Sequence, residues 1–330
     1  MFAPEYTITN KILKNISNIE YAKSIVENTT ILRSWEKSLR NETSTLFIYN
    51  TLKLCKMNTD QEQIKRYVQQ LDTNVPDQVK NSAEAVVYSH EIAKTPDLDE
   101  THFKKLHTIL TKNLAFKNKQ GIYRSTKAPK GSNPEELLAL VVEFFDWINS
   151  LEAKETHPII LAGISKAWIE VLQPFETFNQ SIASLFSQVV LELYGYSFKD
   201  LLCVDSYFNK TKIEYEHILS NLAAKNPDFT RWIEYYSEGM AFEAVSLSEK
   251  IKLLAKDTKV ARASGRAKLT DRQESIIEYL QDYGYLQNKD FEKLFPNVSE
   301  DTVLRDLKKL CGLNIVVKKG STKSSAYELR

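Results

Sequence analysis

Leu172-Gln173-Pro174-Phe175-Glu176-Thr177-Phe178-Asn179-Gln180-Ser181-Ile182-Ala183-Ser184 is the stretch on which the reading of the fold turns. Past its start, apolar residues recur at Ile182, Leu185, Phe186, Val189, Val190 and Leu193, the spacing of a helix that buries one face. The stretch is therefore a loop feeding a core helix. The start of such a helix offers unpaired N–H groups and the positive end of its dipole, which suits an anion. Yet these residues include no glycine, lysine, arginine or histidine, and their only ionisable side chain is Glu176.

From Gln173 to Ser184 the loop resembles the motif of the Fic family, His-x-Phe-x-(Asp/Glu)-Gly-Asn-Gly-Arg-x-x-Arg. The resemblance implies a helical fold that transfers AMP from ATP to a Ser, Thr or Tyr hydroxyl of another protein. In that family the histidine is the general base, the acidic residue holds magnesium, and glycines and arginines receive the phosphates. Here Pro174, Phe175 and Asn179 are kept. Gln173 stands at the histidine, Thr177 at the acidic position, Phe178 and Gln180 at the glycines, and Ser181 and Ser184 at the arginines.

Each replacement removes a chemical capability. An amide takes up no proton near neutral pH, so base catalysis worth roughly 10²- to 10⁴-fold is lost at Gln173. A neutral threonine hydroxyl is a poor sole anchor for a hard dication. Side chains at 178 and 180 obstruct close backbone approach to a pyrophosphate, and serine lacks the bidentate positive charge of guanidinium.

The likeness extends over most of residues 90–240. Leu106-His107-Thr108-Ile109-Leu110 and Gly121-Ile122-Tyr123-Arg124 resemble the family's helix and the start of its target-pairing hairpin, the flap, with Tyr123, Arg124 and Lys127 as its site residues. A helix with Leu137, Val141, Phe144, Phe145 and Ile148 on one face follows, then another opened by His157-Pro158-Ile159 with the stripe Ile160, Ile164, Ala167, Trp168 and Val171. Asp205-Ser206-Tyr207-Phe208 and Asp228-Phe229-Thr230-Arg231-Trp232-Ile233 resemble the closing segments. Thr45-Leu46-Phe47-Ile48-Tyr49-Asn50 is similar to the family's inhibitory motif, with Tyr49 where a glutamate pairs with a motif arginine; an amphipathic core helix explains its apolar residues equally well.

At 330 residues, 42% hydrophobic and 26% charged, the chain has the composition of a globular protein with room for two or three domains. Nine glycines and nine prolines among long periodic segments favour helices. No apolar run reaches the roughly 18–20 residues that span a bilayer, and the N-terminus has no signal pattern, so a cytoplasmic location is expected. Cys55, Cys203 and Cys311 are scattered in apolar settings and read as inert core thiols. Among the five histidines no ligand spacing is visible; His107 and His157 read as core or capping groups, while folding could bring His102 to a site.

A small, polar, basic segment at 258–268 reads as a linker. Beyond it Thr270 caps a helix with Gln273, Ile276, Ile277 and Leu280 on one face, ending at Gly284. A short helix runs from Asn288 to Pro296, and a third follows Ser299 with Val303, Leu304, Leu307 and Leu310 apolar. Ile315-Val316-Val317 and Ala326-Tyr327-Glu328-Leu329 flank a loop at 318–325 as a hairpin. Three helices and a hairpin make a winged helix, and 298–307 resembles the recognition helix of DeoR-type repressors. That resemblance implies base-edge contacts from Ser299, Thr302 and Arg305, and phosphate contacts from Lys308, Lys309, Lys318, Lys319 and Lys323. Leu304 stands where the repressor pattern has a second arginine. Winged helices also serve as dimerisation or docking units.

The expected protein is mainly α: an N-terminal helical region (1–95), a Fic-like core with a small hairpin flap (96–257), a linker (258–268) and a winged-helix domain (269–330). Expected partners are double-stranded DNA, a protein, or a second copy of the chain, with no membrane. The first reading is a protein impaired or inactive in AMP transfer that acts through its winged helix, with no metal or cofactor. The second is an active transferase using ATP and magnesium, with Glu176, Asn179 or Lys127 in altered roles and Lys127 and Lys130 as cleft charges. The third is a structural partner for an active relative.

Overall fold

The computed structural model describes residues 2–114, 119–128, 131–222, 227–263, 269–313, 315–320 and 326–329. The chain divides into two compact units, one of Met1–Asn28 with Arg40–Glu249 and the other of Thr29–Leu39 with Lys250–Arg330.

In the first unit, α1 (Asn10–Asn28) buries Ile12, Ile19, Ala22 and Val26 on one face. It is followed by α2 (Arg33–Leu54), of which the part up to Leu39 belongs to the second unit, then α3 (Gln61–Val68), α4 (Asp77–Ile92), α5 (Glu100–Leu110), α6 (Pro134–Ile148) and the short α7 (Leu151–Glu155). Next come α8 (Pro158–Leu172) and α9 (Asn179–Leu193), then α10 (Asp205–Lys210), α11 (Lys212–Ser220) and the long α12 (Thr230–Ala263), which belongs to the second unit from Lys250 on. The first residues of the expected linker are thus helical, because nothing from 258 to 263 breaks a helix and the first glycine waits until 265.

The centre is the α8–α9 pair. Every residue of α8 from Ile159 to Leu172 is buried, as suits a helix apolar nearly all round. Its start follows from sequence: His157 accepts the Ile159 N–H at 3.3 Å, and Pro158 occupies a first-turn position that needs no donor. Around the pair lie α4, α5 and α6, and between them an aromatic cluster of Phe2, Phe103, Phe144, Phe145, Trp147, Trp168 and Phe186. The face foreseen for α6 is buried, and α9 is buried on its foreseen face, apart from half-buried Leu193, and beyond it. On the other side, the Trp232 indole donates to the Gly163 carbonyl at 2.7 Å, and a Cβ at Gly163 would meet the Tyr236 ring at 3.0 Å. Glycine is what lets α12 come this close to α8. The segment expected as a flap hairpin forms no strand at its described residues, 119–128.

The second unit is a winged helix. Helix α13 (Asp271–Tyr283) starts with a reciprocal box, Thr270 and Gln273 each bonding the other's backbone N–H, and stops at Gly284 in the left-handed region. Then come β1 (Tyr285–Gln287), α14 (Phe291–Leu294), α15 (Glu300–Gly312), β2 (Val316–Lys319) and β3 (Ala326–Leu329). The strands form an antiparallel sheet in the order β1-β3-β2, with Tyr327 opposite both Leu286 and Lys318. The hairpin was legible in the sequence; β1, three residues long, was not. Ile276, Leu280, Leu286, Phe291, Val303, Leu307, Leu310, Val316 and Tyr327 make the core. One buried polar latch holds α13 to α15: Asp306 accepts from the Arg272 guanidinium and from Gln273 Nε2 at 2.7 Å.

Candidate functional site

Helix α8 ends because Gln173 turns left-handed, with φ 46°. Arg124 fixes that turn. Its guanidinium donates to the carbonyls of Gln173 (2.6 Å), Leu172 (3.0 Å), Thr126 (2.9 Å) and Ser132 (2.6 Å), and its own N–H reaches the Pro174 carbonyl at 3.0 Å. Gly131 leaves room for this, since a Cβ there would lie 2.7 Å from the Arg124 guanidinium. Expected as a flap residue, Arg124 is 4% exposed and clamps loop carbonyls. Tyr123 donates to Glu100 at 3.1 Å, Lys127 is exposed, and Lys130 lies outside the described residues.

Further along, Phe178 caps α9 in the left-handed region at φ 60° while its ring is buried. The position demands what glycine gives freely, and a bulky side chain there carries about 1–2 kcal/mol of strain. Asn179 offsets it by accepting the Phe175 N–H at 2.9 Å and donating to the Phe175 carbonyl at 2.7 Å. Asn179 is thus the brace of the loop. Glu176 pairs with Lys119 at 2.5 Å, and Thr177 and Gln180 are half-buried.

Behind the loop, Ser181 Oγ lies 3.1 Å from Cys55 Sγ at the end of α2, and burial pushes that thiol up to about 11. Ser184 donates to Asp205 at 2.9 Å and receives a hydrogen bond from Lys166 Nζ at 2.7 Å. Lys166 is 1% exposed and also lies 3.2 Å from Glu170 and 3.3 Å from Asp205, while Tyr215 donates to Glu170. Burial alone would drive the Lys166 proton off, but the two carboxylates raise its pKa and keep it charged. Burial pushes the Glu170 carboxyl upward against the pull of Lys166. The sequence reading did not foresee this cluster. Its signal was a Lys–Glu pair spaced i, i+4 on a helix otherwise apolar, where two charges must satisfy each other.

The remaining assigned residues are mostly structural. Thr45 bonds back to the Asn41 carbonyl, and Asn50 donates to Ser206 at 2.9 Å and accepts from Asn209. Tyr49 is half-buried with the Lys53 ammonium 5.5 Å from its ring centre. His102 caps α5 with Asp99. His107 is buried, stacked on Phe175 at 4.1 Å, and accepts the Gly121 N–H at 2.9 Å; burial lowers its pKa to about 4. In the second unit, Arg305, Lys308, Lys309, Lys318 and Lys319 are exposed, with Lys319 paired to Glu328. The Ser299 and Thr302 hydroxyls lie 2.8 Å apart, and Lys323 is outside the described residues.

Residues 272–320 match the DeoR-like helix-turn-helix domain family. Among solved structures the chain is similar to a Fic family protein from Desulfovibrio desulfuricans G20, at 16% identity and a TM-score of 0.60, over 100% of this chain and 98% of that one. A Fic domain containing signaling protein from Bacteroides thetaiotaomicron VPI-5482 is 19% identical with a TM-score of 0.59, over 75% and 97%. Fic-1 from C. elegans is 13% identical with a TM-score of 0.54, over 73% and 71%. No curated protein matches the chain. The fold is mainly helical and Fic-like, with a small antiparallel sheet at the C-terminal helix-turn-helix.

Two outcomes follow from the buried groups. Replacing Lys166→Met leaves Asp205 and Glu170 buried without their cation and should lower stability by about 3–5 kcal/mol in urea unfolding; a loss below about 1 kcal/mol would mean the ammonium does not hold the cluster. His107 is held neutral in the fold while the unfolded chain protonates near 6.5. Its contribution is therefore whole above that pH and is lost as pH falls toward 4, roughly 2 kcal/mol of it between pH 7 and 5. The variant His107→Leu should show a correspondingly flatter pH dependence of unfolding free energy.

Proposed function

We propose that this chain keeps the Fic fold without its nucleotide transfer and works through its winged helix as a DNA-binding regulator. The observation that carries the reading is Ser184, whose hydroxyl bridges buried Lys166 and Asp205. A longer, cationic side chain there would have to displace one of them, so the place of a phosphate-binding guanidinium is already taken. Other features agree. Gln173 has no proton-accepting capacity near neutral pH. Thr177 offers no carboxylate for magnesium, and Glu176 is engaged by Lys119. Arg124 spends its donors on carbonyls rather than on a phosphate.

For the winged helix, the match to a DeoR-like domain and the exposed basic residues of α15 support DNA as partner. The first turns of such a helix read base edges and flanking basic residues hold phosphates. Ser299, Thr302 and Arg305 take the first role in this reading. Lys308, Lys309, Lys318 and Lys319 take the second.

Incubation with labelled ATP and magnesium or manganese should give no labelled protein, either for the unaltered chain or for Gln173→His, because one base does not restore the phosphate site. Strong labelling by the unaltered chain would overturn the first half of the proposal. Binding to mixed duplex DNA should weaken steeply with salt, and changing Arg305 and Lys308 together to Ala should weaken it further and reduce the logarithmic salt slope by about 1, for the one phosphate contact removed. Binding indifferent to salt and to both changes would reject the second half.

A further inference from the structure

We propose that His90, Glu192 and Asp200 form a binding site for a divalent transition-metal ion of the zinc class, separate from the 173–184 loop. The residues come from α4, the end of α9 and the turn Phe198–Asp200 just beyond it. His90 Nδ1 lies 2.6 Å from Glu192 Oε2, and one ligand atom from each of the three lies within 4.8 Å of the others. An imidazole nitrogen with two carboxylate oxygens is a donor set suited to borderline dications, and its two negative charges balance the ion. A tetrahedral ion with bonds of about 2.0–2.2 Å separates its ligand atoms by roughly 3.4 Å. The His90–Glu192 pair would open slightly and the exposed Asp200 carboxylate would close in.

The turn that carries Asp200 is fixed by the fold, and one further observation, at Gln188, points to a ligand. Phe198, Lys199 and Asp200 have φ of 51°, 57° and 61°, three successive left-handed residues with side chains, a conformation that persists only where its surroundings impose it. Those surroundings are the fully buried Phe198 ring, Arg40 Nε donating to the Lys199 carbonyl at 3.1 Å, and Thr43 donating to the Leu201 carbonyl at 3.2 Å. Together they hold the turn whose last residue joins the cluster. One helical turn before Glu192, Gln188 Oε1 is a buried acceptor with no hydrogen-bond partner. Gln188, Glu192 and Asp200 line a common cavity of about 40 Å³, room for two or three waters. A metal-bound water in that cavity supplies the donor that Gln188 lacks, and the three protein ligands leave a coordination position for it.

The test uses the full chain, stripped with chelator and then given ZnCl₂ or CoCl₂ in separate arms. The expected result is one metal equivalent retained per chain after gel filtration, a higher Tm with zinc, and a visible d–d band with cobalt lacking the near-ultraviolet thiolate absorption. The variants His90→Gln and Asp200→Asn, checked for native circular dichroism, should lose at least tenfold in affinity. No retention by the unaltered chain, unchanged affinity in both folded variants, or a cobalt–thiolate band from Cys55, Cys203 or Cys311 would overturn the assignment.

Discussion

A lysine ammonium inside a helical core is tolerable only when oppositely charged and hydrogen-bonding groups surround it, and Lys166 has three such partners: Ser184, Asp205 and Glu170. They come from α8, α9 and the start of α10, so a single charge ties together the centre of the first unit. The same charge constrains the loop before it. Because Ser184 is 4% exposed and bonded on both sides, its size and polarity are fixed by Lys166 and Asp205. Ser184 is therefore coupled to Lys166 and Asp205 through packing. Serine at 184 and lysine at 166 form one solution to the same space, and neither can be exchanged alone.

The loop between α8 and α9 is held by bonds to its backbone. Its two left-handed residues, Gln173 and Phe178, are held by the Arg124 guanidinium on one side and the Asn179 amide on the other. Each of these groups satisfies carbonyls that would otherwise be buried and unpaired, a penalty larger than the strain it offsets. The burial of the Phe178 ring adds transfer free energy of the same order as the left-handed cost. The shape of the loop is thus carried by backbone-directed bonds.

What could be read from sequence was whatever repeats along the chain or acts within a few residues. The stripes of α6 and α9, the caps at His157 and Thr270, the Gly284 stop and the β2–β3 hairpin all depend on local spacing and local bonds. The helix after the loop was legible from its apolar spacing, whereas the clamp on the loop was not, because nothing in the sequence shows four carbonyls converging on Arg124. His90, Glu192 and Asp200 are far apart in sequence, and so are Lys166 and Asp205; such convergence is tertiary and leaves no periodic trace. Strand β1 was missed for a related reason, since three residues are too few for alternation to show.

The two units depend on charge in opposite ways. In the first, the Lys166, Glu170 and Asp205 charges are buried and paired at short range, so added salt scarcely screens them and their effect is on stability. In the second, the Arg272–Asp306 latch is drawn inward, while Arg305, Lys308 and Lys309 are exposed on the helix that carries Asp306. Turning one carboxylate into the core of α15 leaves the exposed part of its later turns basic, whereas Glu300 and Asp301 at its start favour the helix dipole. A polyanion meeting this helix therefore encounters repulsion at the first turn and attraction beyond it.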